Sequence, residues 1–99
     1  MRVKIAKGFF ERIIGLLGKK SMSKDEVLVI ENCKSVHTFF MRFPIDIVFI
    51  DRDSKVVNIF QNVKPFRLIF GRDGAYSVLE SGVGYVDANE VSIGQKIEL

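Results

Sequence analysis

Short runs of alternating apolar and polar residues dominate the chain, interrupted by one segment with helical spacing. Residues 1–6, MRVKIA, place Val3 and Ile5 on one side and Arg2 and Lys4 on the other, which predicts a short strand. From Gly8 to Lys20 the period changes: Phe9, Phe10, Ile13, Ile14, Leu16 and Leu17 recur as they would on one side of an amphipathic helix of about three turns. Gly15 and Gly18 each weaken that helix by up to about 1 kcal/mol relative to Ala, so packing must hold it. Gly18 ahead of Lys19-Lys20 marks its end. The polar SMSKDE loop leads to a β-branched run, VLVIEN, read as a strand although Ser23 and Glu26 have capping-box spacing. Ser35 to Met41 is extended. IDIVFID and KVVNIF flank the turn residues DRDS and form the clearest hairpin. NVKPFRLIFG reads as a loop or edge segment, because Pro65 has no N–H for a ladder. AYSVLES is a strand, one helical turn is expected near Val86–Asn89, and IGQKIEL is expected to end the chain as a strand.

Strands outnumber helices and most are joined by short turns. The predicted class is α+β, as one domain over residues 1–99: a curled antiparallel-rich sheet or partly open β-barrel, with the N-terminal amphipathic helix packed against it. An apolar fraction of 47% with nine Phe is enough for a core at this length and argues against disorder.

Charge refines the picture. The net value of +3 conceals an asymmetry, because residues 1–24 carry seven basic groups against one acidic group, Glu11. Such a segment suits either a solvated face paired with acidic loops or a contact with nucleic acid or an anionic surface, the first being favoured. The one cysteine, Cys33, and one histidine, His37, exclude a four-cysteine or two-cysteine, two-histidine zinc site. No metal or cofactor is expected: P-loop, GxSxG and GxGxxG patterns are absent from the sequence, and GVG is too short to cradle a phosphate. FFERIIGLLG is broken by Glu11 and Arg12 and has no cleavage site after it, so no signal peptide is expected. No apolar run approaches the roughly 18 residues of a membrane span. With a lone cysteine, these features lead to an expectation of the cytoplasm.

The candidate chemistry clusters in VHTFFMRFPID, Val36 to Asp46, an apolar stretch that holds the only histidine, an arginine and an aspartate. Under ideal alternation His37, Phe39, Met41 and Phe43 share one face, and Thr38, Phe40, Arg42 and Asp46 the other. Arg42 and Asp46 would stand roughly 13 Å apart on a straight strand, too far for an ion pair unless Pro44 kinks the chain. A buried Asp46 needs partners, either backbone N–H groups or an internal arginine if structural, or a ligand if it lines a cleft. Cys33 and His37 are a nucleophile pair only if CKS turns; otherwise they are a small buried thiol and a hydrogen-bonded core imidazole. Glu80, at the end of SVLE, could accept N–H groups from the following turn or face the same cleft as Arg42. Asp51, Asp53 and Ser54 read as turn formers.

RIIGLLGK, CKSVHTFFMRFPIDIVFIDRDSKVV, VKPFR, VLESGVG and IGQKIEL occur in this order over nearly the whole chain. The series resembles the uncharacterised family known as domain of unknown function 192, most specifically between Cys33 and Val57. The resemblance implies a compact, strand-rich domain with a helix near the N-terminus and no established reaction. It places the family's motif positions at Arg12, Gly15, Leu16, Cys33, His37, Thr38, Met41, Arg42, Pro44, Asp46, Phe49, Asp51, Leu79, Glu80 and Gly84. Two departures stand out: Ser81-Gly82-Val83 follows Leu79-Glu80 where a leucine, a small residue and glycine are usual, and Gly94-Gln95 replaces the usual Gly-Asp.

Three functions compete. The first is a binding domain for a small polar or anionic ligand, with Arg12, His37, Thr38, Arg42, Asp46 and Glu80 as candidate contacts. The second is a small hydrolase-like enzyme using Asp46 or His37 as acid or base, with Cys33 as a further candidate. The third is a nucleic-acid or partner-binding module using the basic N-terminal segment.

Overall fold

The computed structural model describes residues 2–6, 21–38 and 41–98. Seven strands and one helical turn follow in order: β1 (Arg2–Ala6), β2 (Glu26–Ile30), β3 (Ser35–His37), β4 (Ile45–Ile50), β5 (Val56–Val63), β6 (Leu68–Phe70), β7 (Ser77–Gly82) and α1 (Tyr85–Ala88). The segment expected to form the amphipathic helix, residues 8–20, lies outside the described residues, and Arg12 with it.

Five strands form one sheet in the order β1-β2-β7-β4-β5, while β3 and β6 pair as a separate antiparallel ribbon. Among the described strands, only the β1–β2 pair is parallel. The sheet is open, with β1 and β5 at its edges, so of the two expected forms the antiparallel-rich sheet is the one present, with a ribbon across one face, and no closed barrel forms among the described strands. The hairpin of β4 and β5 forms as read from the sequence. Its turn is tied by Asp51, whose Oδ1 accepts from the N–H groups of Asp53 (2.8 Å) and Lys55 (2.9 Å).

β4 is an inner strand, between β7 and β5, and every residue of it is buried, as its nearly unbroken apolar run suggests. Its two faces feed two cores. Ile45, Ile47 and Phe49 join Leu28, Ile30 and Val78 beneath the ribbon, with Val36, Met41, Phe43 and Val63 closing over them. Val48 and Ile50 join Val27, Val29 and Leu79 on the other face, covered by Tyr85 and Val86 of α1 and by Ile97. Each fully buried Ile or Phe contributes roughly 1.5–3 kcal/mol.

Two departures from the sequence reading have local causes, while NVKPFRLIFG, read as a loop or edge segment, does contain an edge strand, β6, paired with β3. IGQKIEL does not form one: Gly94 adopts φ 88°, and a turn from Ser92 to Gln95 leaves only an isolated bridge between Lys55 and Lys96. β5 carries bulges against β4, and Asn62, at φ 51°, sits in the first of them.

Candidate functional site

Asp46 and Glu80 occupy adjacent strands in the middle of the sheet. Asp46 pairs with Ser81 of β7, and Glu80 pairs with Ile47 of β4 and Leu28 of β2. Successive residues of a strand point to opposite faces, so the two carboxyls project to opposite sides of the sheet.

Asp46 is 1% exposed and is held from three directions. Its Oδ1 accepts from Asn62 N–H at 2.9 Å, and its Oδ2 from Val86 N–H at 3.0 Å and Gly84 N–H at 3.3 Å. The first of these is the N–H displaced by the β5 bulge, where the register skips between Ile45–Val63 and Ile47–Phe60. The other two open α1, whose N-cap, Gly84, offers no side chain of its own. Asp46 therefore caps α1 from 40 residues away in sequence and clamps the bulge at the same time. Charge-assisted bonds of this kind offset the desolvation of a carboxylate. The turn after SVLE thus directs its N–H groups to Asp46 and not to Glu80.

Glu80 has no such cage. It is 4% exposed, lies on the face that carries Leu28, Ile47 and Val78, and receives no hydrogen bond from a described residue. Burial disfavours its charged form and raises its pKa from 4.5 to about 7. Two residues on, Gly82 shares its face. A Cβ at Gly82 would collide with the Met22 carbonyl oxygen and the Ser23 backbone, so the chain passes directly over the sheet there.

The other candidates are distributed around this centre. Thr38 is fully buried and acts as a latch: its Oγ1 donates to Lys64 C=O (2.8 Å) and accepts from Arg67 N–H (2.9 Å), while its carbonyl accepts from Phe66 N–H (3.0 Å). His37 is exposed on β3 opposite Leu68, not in a core. Arg42 is exposed on the segment that enters β4, so the chain at Pro44 does not gather Arg42 and Asp46 into one cleft. Cys33 is buried, and its thiol donates to Ser35 C=O at 2.9 Å. A separate hollow of about 360 Å³ is lined by residues including Asn32, Lys34, Asp51, Arg52 and Tyr76, and by none of the five candidates among the described residues. Among the described residues, no three His, Cys, Asp or Glu side chains group as metal ligands.

An open, mostly antiparallel sheet with a ribbon on one face, a helical turn on the other, and at its centre one clamped carboxyl and one with no described donor, defines a small strand-rich class with no metal-ligand group among the described residues. The chain belongs to the DUF192 family, whose model, described as Uncharacterized ACR, matches residues 1–99. Among curated relatives, a UPF0127 protein of Thermococcus sibiricus is 33% identical over 98% of this chain, which spans 65% of that protein. A UPF0127 protein of Pyrococcus horikoshii is 31% identical over 97% of the chain and 85% of its own length. Two solved structures share the fold. A protein of unknown function from Novosphingobium aromaticivorans has a TM-score of 0.86 at 22% identity, with all of this chain and 75% of the other covered. A putative transcription regulator from Sinorhizobium meliloti has a TM-score of 0.85 at 25% identity, with 97% and 79% covered.

Proposed function

We propose that this protein is a binding domain for a small polar ligand that presents a hydrogen-bond donor to Glu80. The observation that carries the reading is a carboxyl buried among Leu28, Ile47 and Val78 with no described donor to satisfy it. Buried polar groups are ordinarily hydrogen-bonded, and a bare one at a family motif position is where a bound group would complete the structure. An anionic ligand fits this group poorly, so the polar alternative is preferred. Asp46 is set aside as a contact because its oxygens already serve backbone N–H groups.

A second reading has its own observation. A carboxyl that titrates near 7 suits proton transfer at neutral pH, so an enzyme would use Glu80 as its acid or base in place of Asp46 or His37. The buried Cys33 thiol suits a reducing compartment, which supports the cytoplasm as the place of action. The nucleic-acid alternative draws support from the name of the Sinorhizobium meliloti relative and from the basic first 24 residues.

The test is a thermal-shift screen of small amines, polyols and nucleosides against the full chain and against Glu80→Gln. A compound that stabilises the wild type and loses at least roughly tenfold in affinity in Glu80→Gln supports the reading. Equal stabilisation of both proteins, or none of either, removes it.

A further inference from the structure

The outer face of the ribbon carries a stripe of large apolar side chains that the fold leaves in water. Phe66, Leu68 and Phe70 are 69%, 55% and 64% exposed, while Ile69 between them turns inward to the core. Leu68 and Phe70, at i and i+2 of β6, share one side of the strand, and Phe66 stands exposed on the turn just before them, so the three make one apolar strip along the segment. Exposed apolar residues scattered singly need no explanation, but a contiguous row does.

The row is also held rigidly. Phe66 adopts φ 65°, a left-handed conformation unfavourable for an aromatic residue. Thr38 keeps it there, bonding to Lys64 C=O, Phe66 N–H and Arg67 N–H at 2.8–3.0 Å. A buried threonine thus holds the turn in a shape that projects a phenylalanine outward.

The charges around the row decide what it meets. Lys64, Arg67 and Arg72 are exposed along the same segment, and Lys34 precedes β3, against a single acid, Asp73. Arg67 folds back beside Phe66, its Nη1 3.4 Å from Pro65 C=O. We propose that this ribbon docks on an anionic lipid surface, with Phe66, Leu68 and Phe70 entering the headgroup–acyl boundary and Lys64, Arg67 and Arg72 contacting the anionic headgroups. A second copy of the chain is a poorer occupant. Antiparallel pairing of two β6 strands about Leu68 sets the Lys64 of one copy across from the Arg72 of the other, and like charges directly opposed are destabilising. Single-stranded nucleic acid is a poorer occupant too, because the centre of the row is Leu68, which offers no ring for a base to stack on.

The chain contains no tryptophan, so Phe66→Trp places a single reporter at the tip of the row. With vesicles of phosphatidylcholine and phosphatidylglycerol, the Phe66→Trp emission shifts to the blue and the protein co-sediments; with phosphatidylcholine alone both effects are much weaker. Phe66→Ser with Phe70→Ser lowers partitioning by at least roughly tenfold, and Lys64→Gln with Arg67→Gln lowers it and reduces its salt sensitivity. Circular dichroism melts confirm that the variants fold. Failure to bind anionic vesicles overturns the proposal. So does binding that survives the paired Phe changes, which would place it on the basic N-terminal segment. A Trp signal elicited instead by a single-stranded oligonucleotide, or by self-association alone, overturns it as well.

Discussion

Asp46 and Glu80 are carboxyls on neighbouring strands, buried to nearly the same degree, and what differs is what reaches their oxygens. Three backbone N–H groups surround Asp46, whereas no described residue donates a hydrogen bond to Glu80, which lies on the face of Leu28, Ile47 and Val78. The difference sets a pH dependence. The pKa of Glu80 stands at about 7 when folded against 4.5 ordinarily, so the folded state holds the proton more tightly than the unfolded state does. Its contribution to stability is therefore complete below about pH 4.5, declines as pH rises toward 7, and is lost above that. The full span is on the order of 3 kcal/mol. Glu80→Gln removes this slope, so the wild-type and variant stabilities, measured by urea unfolding from pH 4 to 8, diverge in the variant's favour as pH rises. Parallel curves would show that Glu80 is satisfied by other means. That Asp46 is buried and needs partners was legible in the sequence. Which partners was not, because one arises from a register skip between β4 and β5 and the others from a turn 38 to 40 residues away.

Elements were legible where local pattern and final environment agree. The strand at Arg2–Ala6, the β-branched run at β2, the DRDS hairpin, β7 and the helical turn after GVG all form. One element was legible only in part and one went the other way. β6 could be read no further than a loop or edge segment because Pro65 and the left-handed Phe66 interrupt the pattern just before it, and because its partner is the three-residue β3. IGQKIEL alternates well but is bent at Gly94, and its bonds run to Ser54 and Val56 across a turn instead of along a ladder. Thr38 was a candidate for ligand contact, but its hydroxyl is occupied in fastening the 64–67 turn, which is a structural role. Thr38→Val keeps the shape and removes the hydroxyl, leaving Lys64 C=O and Arg67 N–H without that partner, for a loss of roughly 1–3 kcal/mol. Hydrogen exchange should quicken first at Phe66 and Arg67, with β4 and β7 little affected. Uniform acceleration across the sheet would show that the ribbon and the sheet open together.

At the scale of the molecule, β4 and β7 are the shared wall of two cores, one under the ribbon and one under α1. Two solved structures share the overall fold at 22–25% identity, which fits a fold specified by burial pattern more than by particular side chains. Asp46 is where the parts meet, since its oxygens join β4 to the bulge of β5 and to the start of α1. Asp46→Ala should therefore cost about 3–5 kcal/mol, more than a single surface bond, because it strands buried N–H groups on two elements. Chemical denaturation measures the loss, and a value under about 1 kcal/mol would mean the clamp is dispensable.

The same clamp has a consequence in time. Its three donors lie 16, 38 and 40 residues from the carboxylate, so the bonds can close only after β5 has paired with its bulge in place and α1 has docked. The bonds from Gly84 and Val86, which span 38 and 40 residues, are assembled late, after the hairpin of β4 and β5 has closed its short loop. Asp46 then acts as a lock on the finished structure and not as a nucleus. Its removal should leave the refolding rate nearly unchanged and appear almost wholly as faster unfolding, which makes a single buried carboxylate the setting for how long the native state lasts.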